Sequence, residues 1–583
     1  MRAGDNCVML SGSMPSRFAA CVVVAAATAL ALPACHRDRA TPAEKAPPPT
    51  LRIVAVTDLD GYLEPCGCTS NPLGGIDRLA ARVEELKGEG VPALFVAAGP
   101  LFFGPGHGGS PESATQDLWR AQLVASVLNR LGLAYAASGP SDLAQGARVY
   151  GELVARLGAH IVPAPRGGDA TASAGAETQP AGLWFTRVGS TDVAVVAATE
   201  PGADAPAADT ETKPAAAEEG EAAGAAAGGA TGATPKREKT PPATIFDAAH
   251  FAAIGAAIAK REPRVVVALV RGSRAFAREV ATATHATFVI EGGLDQPDPI
   301  PPTSIGDGSF LMNAGRQGQG VVELDVYLRK PGLGLADKSV WSQQGRADAL
   351  DEEIGSLEAR IEGWERSKDV NPSDLAAQKA RLARMRAERD AIAKPIGVEA
   401  NENAFVARYF PFPHSAATDP KVTALVDAYA VRVNQHNKVA LAGLTPVPAK
   451  PGQPVYVGSD ACRSCHEPAY LWWKGHPHGY AYSTLVKVHK EYNLDCVGCH
   501  VTGYMKPGGS TVTHNLGGAL ENVGCENCHG PGSAHVKDPS VPMARTDPPE
   551  SVCLQCHTPE HSDRFNYEAY RRSLLVPGHG MAM

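Results

Sequence analysis

Three things are scarce in this chain, and each scarcity excludes something. Positive charge has no surplus: 54 Lys and Arg stand against 62 Asp and Glu, a formal net charge of -8. That balance keeps a chain soluble, and nothing in it suggests a nucleic acid partner. Long apolar runs are also scarce. The run Phe18 to Leu32, preceded by Arg17, is too short to read as a transmembrane helix and reads instead as an export signal. Cysteine is sparse over most of the length. Of thirteen, eight lie from Cys462 onwards, in four pairs with two residues between partners. Histidine clusters with them, eleven of eighteen lying between His466 and His579. The 583 residues leave room for two or three domains.

The apolar run ends at Leu32-Pro33-Ala34-Cys35, which resembles the lipobox of bacterial lipoproteins. The resemblance implies lipidation of Cys35 and a membrane-anchored protein on the periplasmic or outer surface; the alternative is an ordinary signal cleaved in the same place. Residues 1–35 are therefore expected to be the signal. Residues 36–50 form a Pro-rich tether that would hold a domain off the membrane.

From residue 51 to about 340 the pattern predicts an α/β domain. Leu51 to Thr57 is an apolar, β-branched run of a buried strand, and similar runs recur at Ala93–Ala98, Val265–Val270 and Thr287–Glu291. Between the first two, Leu79, Val83 and Leu86 are spaced as on a helix. Leu123, Val124, Val127, Leu128 and Leu131 predict another. The stretch Leu183 to Ala198 reads as a strand. Residues 200–242 are dominated by Ala, Gly, Glu, Pro and Thr, cannot bury enough apolar surface to order, and are expected to be a disordered insert. Over 345–395, Leu350, Ile354, Leu357, Ile361 and Trp364, then Leu375, Leu382, Met385 and Ile392, predict a helical hairpin broken at Asn371-Pro372. We expect it between the two main domains, followed over 396–454 by a helix from Lys421 to Val439 and a Pro-rich linker.

The four cysteine pairs are Cys462/Cys465, Cys496/Cys499, Cys525/Cys528 and Cys553/Cys556, each followed at once by a histidine: His466, His500, His529 and His557. Cys-x-x-Cys-His is the c-type haem attachment signature. Cysteines three apart share one side of a helical turn and can form thioethers to both vinyl groups, while the next residue projects an imidazole onto the iron. Zinc sites and redox-active dithiols also use Cys-x-x-Cys, but neither needs a histidine after every pair. Four covalently bound haem c groups are therefore expected. Seven further histidines, His476, His478, His489, His514, His535, His561 and His579, exceed what proximal ligation needs and favour bis-histidine irons.

Residues 457–579 resemble the tetrahaem cytochrome c-554 family. Besides the motifs, the resemblance lies in Val457-Gly458-Ser459-Asp460-Ala461-Cys462, in Cys499-His500-Val501-Thr502-Gly503 and in Val523-Gly524-Cys525 through Gly530-Pro531-Gly532-Ser533. It implies a mostly helical domain, 455–583, wrapped around stacked haems and passing electrons. It also implies distal ligation by His478 and His535, to which we add His579, and in that family one haem is typically left five-coordinate.

Residues 51–327 resemble the metallophosphatase domain of the 5'-nucleotidase and UDP-sugar hydrolase family. The resemblance lies in Thr57-Asp58-Leu59-Asp60-Gly61, Gly74-Gly75-Ile76-Asp77, Ala98-Gly99 and Asn313-Ala314-Gly315-Arg316. Such a family holds two divalent metals that clamp a phosphoryl transition state. Here Asp58 keeps its place, but Asp60 stands for a histidine, Pro100 follows Gly99, and Gly139-Pro140-Ser141-Asp142 replaces Gly-Asn-His-Asp. Arg271 falls near the place of a lone histidine, and Gly292-Gly293-Leu294-Asp295 near that of Gly-His-x-His. The expectation is an inactive scaffold. Cys66 and Cys68, one residue apart, leave three possibilities open: a soft-metal site, a strained disulfide or free thiols.

The sequence thus predicts an exported multihaem cytochrome in electron transfer, with redox partner proteins it does not identify. The alternatives are a haem oxidoreductase for a small nitrogen or sulfur species, with a nearby acid or histidine supplying protons, and a phosphoester hydrolase.

Overall fold

The computed structural model describes residues 48–65, 72–104, 111–162, 180–200, 248–293, 298–332, 334–366, 371–392, 397–513, 518–558, 561–562 and 565–581. The signal, Cys35, most of the tether, Cys66 and Cys68, and residues 201–242 of the expected disordered insert lie outside them. From Ala46 to Met583 the chain packs as one compact unit.

Its first part is built as β1 Leu51–Thr57, α1 Ile76–Gly88, β2 Ala93–Ala98, α2 Ala114–Arg130, β3 Leu133–Ala137, α3 Ala147–Leu157 and β4 His160–Val162. There follow β5 Leu183–Val188, β6 Thr191–Thr199, α4 Ala248–Arg261, β7 Val265–Arg271, α5 Arg274–Thr284, β8 Phe288–Gly292, β9 Ile300–Gly306, β10 Ser309–Asn313, β11 Gly320–Tyr327 and β12 Ala336–Asp337. The helices α6 Trp341–Arg366 and α7 Pro372–Ile392 come next, then β13 Ala404–Pro411 and α8 Pro420–Ala440. Two sheets result, ordered β12-β13-β11-β1-β2-β3-β4 and β5-β6-β7-β8-β10-β9.

The sheets stack face to face. Leu51, Ile53 and Ala55 of β1 join one core with Val193 to Ala198 and Val265 to Val270 of the other sheet, while Val54 and Val56 join a second core with α1, α2, α3 and α8. Phe251 and Ile254 of α4 and Phe276 and Val280 of α5 cover the far side. Helix, sheet, sheet and helix therefore make four layers, and the inner strands are buried on both faces. That is why β1, β2 and β7 read as continuous apolar runs rather than as alternating ones.

Three expectations are corrected. Leu183 to Ala198 is not one strand but the antiparallel pair β5 and β6, reversed at Gly189, whose φ of 60° is left-handed. The α/β domain does not end near 340: β13 pairs with β11 from Gly320↔Pro411 to Tyr327↔Ala404, and Val422 and Val426 of α8 enter the helix-side core. Residues 396–454 thus complete the domain before they become a linker. The hairpin α6–α7 does form, around Ile354, Leu357, Ile361, Leu382 and Met385, but as an insertion between β12 and β13 of one sheet. Trp341, stacked on Tyr409 at 5.6 Å, roots it there.

From Val455 the architecture changes. Among the described residues this segment holds seven short α-helices: α9 Glu467–Gly475, α10 Ala481–Val486, α11 Val497–His500, α12 Cys525–His529, α13 Ser533–Lys537, α14 Glu550–Cys553 and α15 Tyr567–Leu574. Its own apolar core is small, centred on Tyr482, Val497, Val501 and Val512.

Candidate functional site

Each cysteine pair sits on a single helical turn. The amide of His466 donates to the carbonyl of Cys462 at 2.9 Å, and that of His557 to Cys553 at 2.9 Å. These i to i+4 bonds place both cysteines on one side of the turn and launch the histidine beyond it. The four turns surround one cavity of about 2710 Å³, lined by all four motif histidines and by every motif cysteine except Cys465, which is exposed at the rim. Ordinary small-molecule pockets reach ~1,000 Å³, so this space suits several porphyrins side by side. The cysteines form no disulfides with one another. Cys462 is hydrogen-bonded to Cys525, and Cys499 to Cys556, so the first motif adjoins the third and the second adjoins the fourth.

The histidines fall into facing couples. Ring centres are 6.3 Å apart for His466 and His535, 6.2 Å for His478 and His557, and 6.1 Å for His529 and His579. Two imidazoles bound to one metal from opposite sides, each at ~2.0–2.1 Å, put their ring centres roughly 6 Å apart. Each of the three distal positions named from the sequence therefore faces a different motif histidine. Among the described residues no histidine ring is paired with His500.

Hydrogen bonds select which ring nitrogen points inward. The Nδ1 of His500, His529, His535 and His579 lies 2.7, 2.8, 2.7 and 2.7 Å from the carbonyls of Ala481, Arg545, Val541 and Leu574. A carbonyl only accepts, so each Nδ1 carries the proton and each Nε2 keeps its lone pair for a metal. His476 is the reverse case. Its Nδ1 accepts from the amide of His478 at 3.3 Å, which leaves its proton on Nε2. Burial pushes His478 down to about 4, with His476 and His557 adding to the effect, and burial also lowers His529 and His557. All three are neutral at physiological pH, the form that ligates. Of the remaining histidines, His561 bonds Thr558 locally, His489 adopts a left-handed φ of 57° in a turn, and His514 lies outside the described residues.

The cavity does not stop at the cytochrome-like segment. It runs on to the carboxyl ends of β1, β2, β3, β7 and β8, where Asp58, Pro100, Ser141, Arg271 and Gly293 line it, with Asp60 and Arg316. Asp58 packs against Gly99, where φ is +90° and a side chain would strike its carboxylate, and its Oδ1 accepts from the amide of Gly293 at 2.6 Å. Burial pushes Asp58 up to about 7; burial, with Asp58 and Asp142 adding to it, pushes Asp60 up to about 8. Asp142 accepts from the amides of Leu101, Phe102, Phe103 and Gly139 at 2.7 to 3.3 Å. Among the described residues no three His, Cys, Asp or Glu side chains gather to hold a metal ion by themselves. A haem makes no such demand, because the porphyrin supplies the equatorial nitrogens and the protein only the axial ligands.

A polar seam fixes the two parts together, and sequence reasoning missed it. Arg120 donates to Asp495 at 2.6 Å and to Asp117 at 2.5 Å; Gln116 donates to Asn493 and Asp495; Asn437 donates to Gln116 at 3.0 Å and to the carbonyl of Tyr492 at 2.9 Å. Asp495 directly precedes Cys496. No local pattern marks these residues, since each is an ordinary polar position on a helix or a turn.

Comparison with known proteins identifies the type of domain in the C-terminal segment. Residues 461–530 match the family model of cytochrome c554 and c-prime. The C-terminal segment carries a cytochrome c554-type domain. A 92-residue stretch is 38% identical to cytochrome c-554 of Nitrosomonas europaea, covering 13% of this chain and 39% of that protein, so the chain spans about two-fifths of the relative's length. Solved structures similar in the α/β part include the sulfate thiohydrolase SoxB of Thermus thermophilus (12% identity, TM-score 0.39, 67% of this chain and 62% of that one). A 5'-nucleotidase precursor from the same organism gives 14% identity and TM-score 0.38 over 68% and 60% of the two chains. The Bacillus subtilis calcineurin-like phosphoesterase YfkN gives 14% and 0.33 over 49% and 88%. Likenesses at this level say nothing about activity.

Proposed function

We propose that this protein is an exported tetrahaem c-type cytochrome, anchored through a lipidated Cys35, that relays electrons between redox partner proteins. In this proposal the metallophosphatase-like domain is a scaffold without hydrolase activity. The observation that carries it is the three facing histidine couples around one cavity reached by four Cys-x-x-Cys-His turns. His466 and His535 would hold the haem on Cys462/Cys465, His529 and His579 that on Cys525/Cys528, and His557 and His478 that on Cys553/Cys556. Bound haem would supply one-electron chemistry; these residues would position it, with His478, His529 and His557 held neutral by burial. A haem held by two imidazoles would take no small molecule, so these three would serve as relays.

A second, narrower proposal is that the haem on Cys496/Cys499 keeps an open position for a small nitrogen or sulfur species; His514, which lies outside the described residues, is the histidine that would close it. Mass spectrometry of the purified protein should show four haems that survive denaturation. Electron paramagnetic resonance should show three low-spin irons and one high-spin, with carbon monoxide binding one ferrous haem only. A haem-free, zinc-bearing product from a host competent in cytochrome maturation would overturn the main proposal. Four low-spin irons would remove the second alone.

A further inference from the structure

Between α13 and α14 the chain has only turns and bends, yet this stretch, residues 538–549, touches the proposed haem ligands twice. The carbonyl of Val541 accepts from Nδ1 of His535 at 2.7 Å, and that of Arg545 accepts from Nδ1 of His529 at 2.8 Å. At Arg545 the contact is reciprocal. Its own amide donates to the carbonyl of His529 at 3.1 Å, and its Nε donates to the carbonyl of Cys528 at 2.7 Å. Three hydrogen bonds thus tie one residue to the last two positions of the third motif. Gly530, whose φ of +89° is left-handed, permits this approach: a side chain there would come within 2.9 Å of the Cβ of Ala544 and 3.7 Å of Nη2 of Arg545.

Here the residue that holds the imidazole is also a cation. His500 is held by the carbonyl of Ala481 and His557 by the Oγ of Ser562 at 3.0 Å, and neither partner carries a charge. Arg545 is half-buried and lines the haem cavity, and among the described residues no carboxylate pairs with its guanidinium. Glu526, inside the same motif, is buried and taken up by the amides of Val457, Gly458 and Gly532 at 2.7 to 3.1 Å. Asp547, two positions on, is paired with Arg571 at 2.8 Å. The charge of Arg545 is felt at both residues it touches. Burial raises the Cys528 thiol and lowers the His529 imidazole, and the guanidinium opposes the first effect and adds to the second. A ferric haem loses one positive charge on reduction, so a fixed cation beside it favours the ferrous form, and more strongly where water is excluded.

We propose that Arg545 is a positioning residue of the third motif and, through its charge, raises the reduction potential of the haem on Cys525/Cys528. Its carbonyl holds His529 and its guanidinium supplies the field. The inference rests on the tetrahaem proposal above, whose own readouts, haem mass and spin states, are taken first; a failure there counts against that proposal and not against this one. The full-length, haem-loaded protein is then titrated spectroelectrochemically, its one-electron components being followed by optical and electron paramagnetic resonance spectra. In Arg545→Gln one component is expected to move to lower potential while the other three stay. The shift should be about tenfold in the ratio of reduced to oxidised haem, ~59 mV for one electron. Arg545→Lys keeps the charge without the fork and should restore most of that shift. The component that moves should be the one that turns high-spin in His579→Ala, because His579 faces His529. If Arg545→Gln fails to load four haems, Ala544→Asp takes its place: it retains every contact of Arg545, sets a carboxylate near the guanidinium, and should lower the same component. No shift in the variant that loads, a shift as large in Arg545→Lys as in Arg545→Gln, or a shift confined to another haem would each overturn the proposal.

Discussion

At the scale of the residue, the most informative contrast is between two histidines only two positions apart. His476 and His478 look alike in sequence, both flanking Pro477 in an apolar stretch. The structure separates them by a proton: His476 accepts a backbone amide at Nδ1, while His478 is buried, neutral and turned toward His557. Replacing His478 with Ala should convert one low-spin haem, that of Cys553/Cys556, to high-spin and let its ferrous form bind carbon monoxide. Replacing His476 with Ala should leave every spin state unchanged. Spectra of the two variants side by side check both statements, and a spin change in the His476 variant alone would reverse the assignment. That His478, His535 and His579 each lie opposite a motif histidine agrees with their choice as distal candidates, two by resemblance and His579 beside them. Which motif each one faces was not legible in the sequence, because the partners lie 50 to 79 positions apart along the chain.

At the scale of the element, the hairpin α6–α7 is the clearest case of local legibility without positional legibility. Its seam could be written down from spacing alone, and Ile354, Leu357, Ile361, Leu382 and Met385 do meet. Its place in the fold follows instead from β13, whose eight backbone pairs with β11 involve no side-chain pattern that distinguishes an inserted hairpin from a linker. Because its core is separate from the two main cores, damage there should stay local. Leu357→Ala, a buried truncation costing about 2–4 kcal/mol, should speed amide exchange across 341–392. It should leave exchange in β1, β7 and β11 and the haem spectrum unchanged. Faster exchange in the sheets would show that the hairpin and the α/β domain unfold together.

At the scale of the whole molecule, the seam of Gln116, Arg120, Asn437, Asn493 and Asp495 decides whether the α/β layers and the cytochrome-type domain act as one body. Arg120 is buried and pairs with Asp117, itself fully buried, and with Asp495. Removing one partner of a buried pair leaves charge without compensation and costs about 3–5 kcal/mol. Arg120→Ala should therefore lower the melting temperature and perturb chiefly the haem on Cys496/Cys499, whose motif begins one residue after Asp495. A spectrum altered equally at all four haems would show that the seam does not single out that motif. Arg120→Lys keeps the charge but loses the fork, and should fall between the two.

Chemistry confined to one turn of chain was determined by the sequence alone. Two cysteines three apart with a histidine after them are a local signature, so the c-type haem class was readable without tertiary structure. The same holds for β1, β2 and β7, whose continuous apolar runs require burial on both faces. Only the tertiary structure decided what depends on residues far apart: the histidine couples, the completion of the α/β domain by β13 and α8, and the joining of the strand-end crevice to the haem cavity. Those relations are set by backbone pairing and by polar side chains such as Arg120 and Arg271, residues that carry no pattern of their own. Their role exists only once packing has brought their partners within reach.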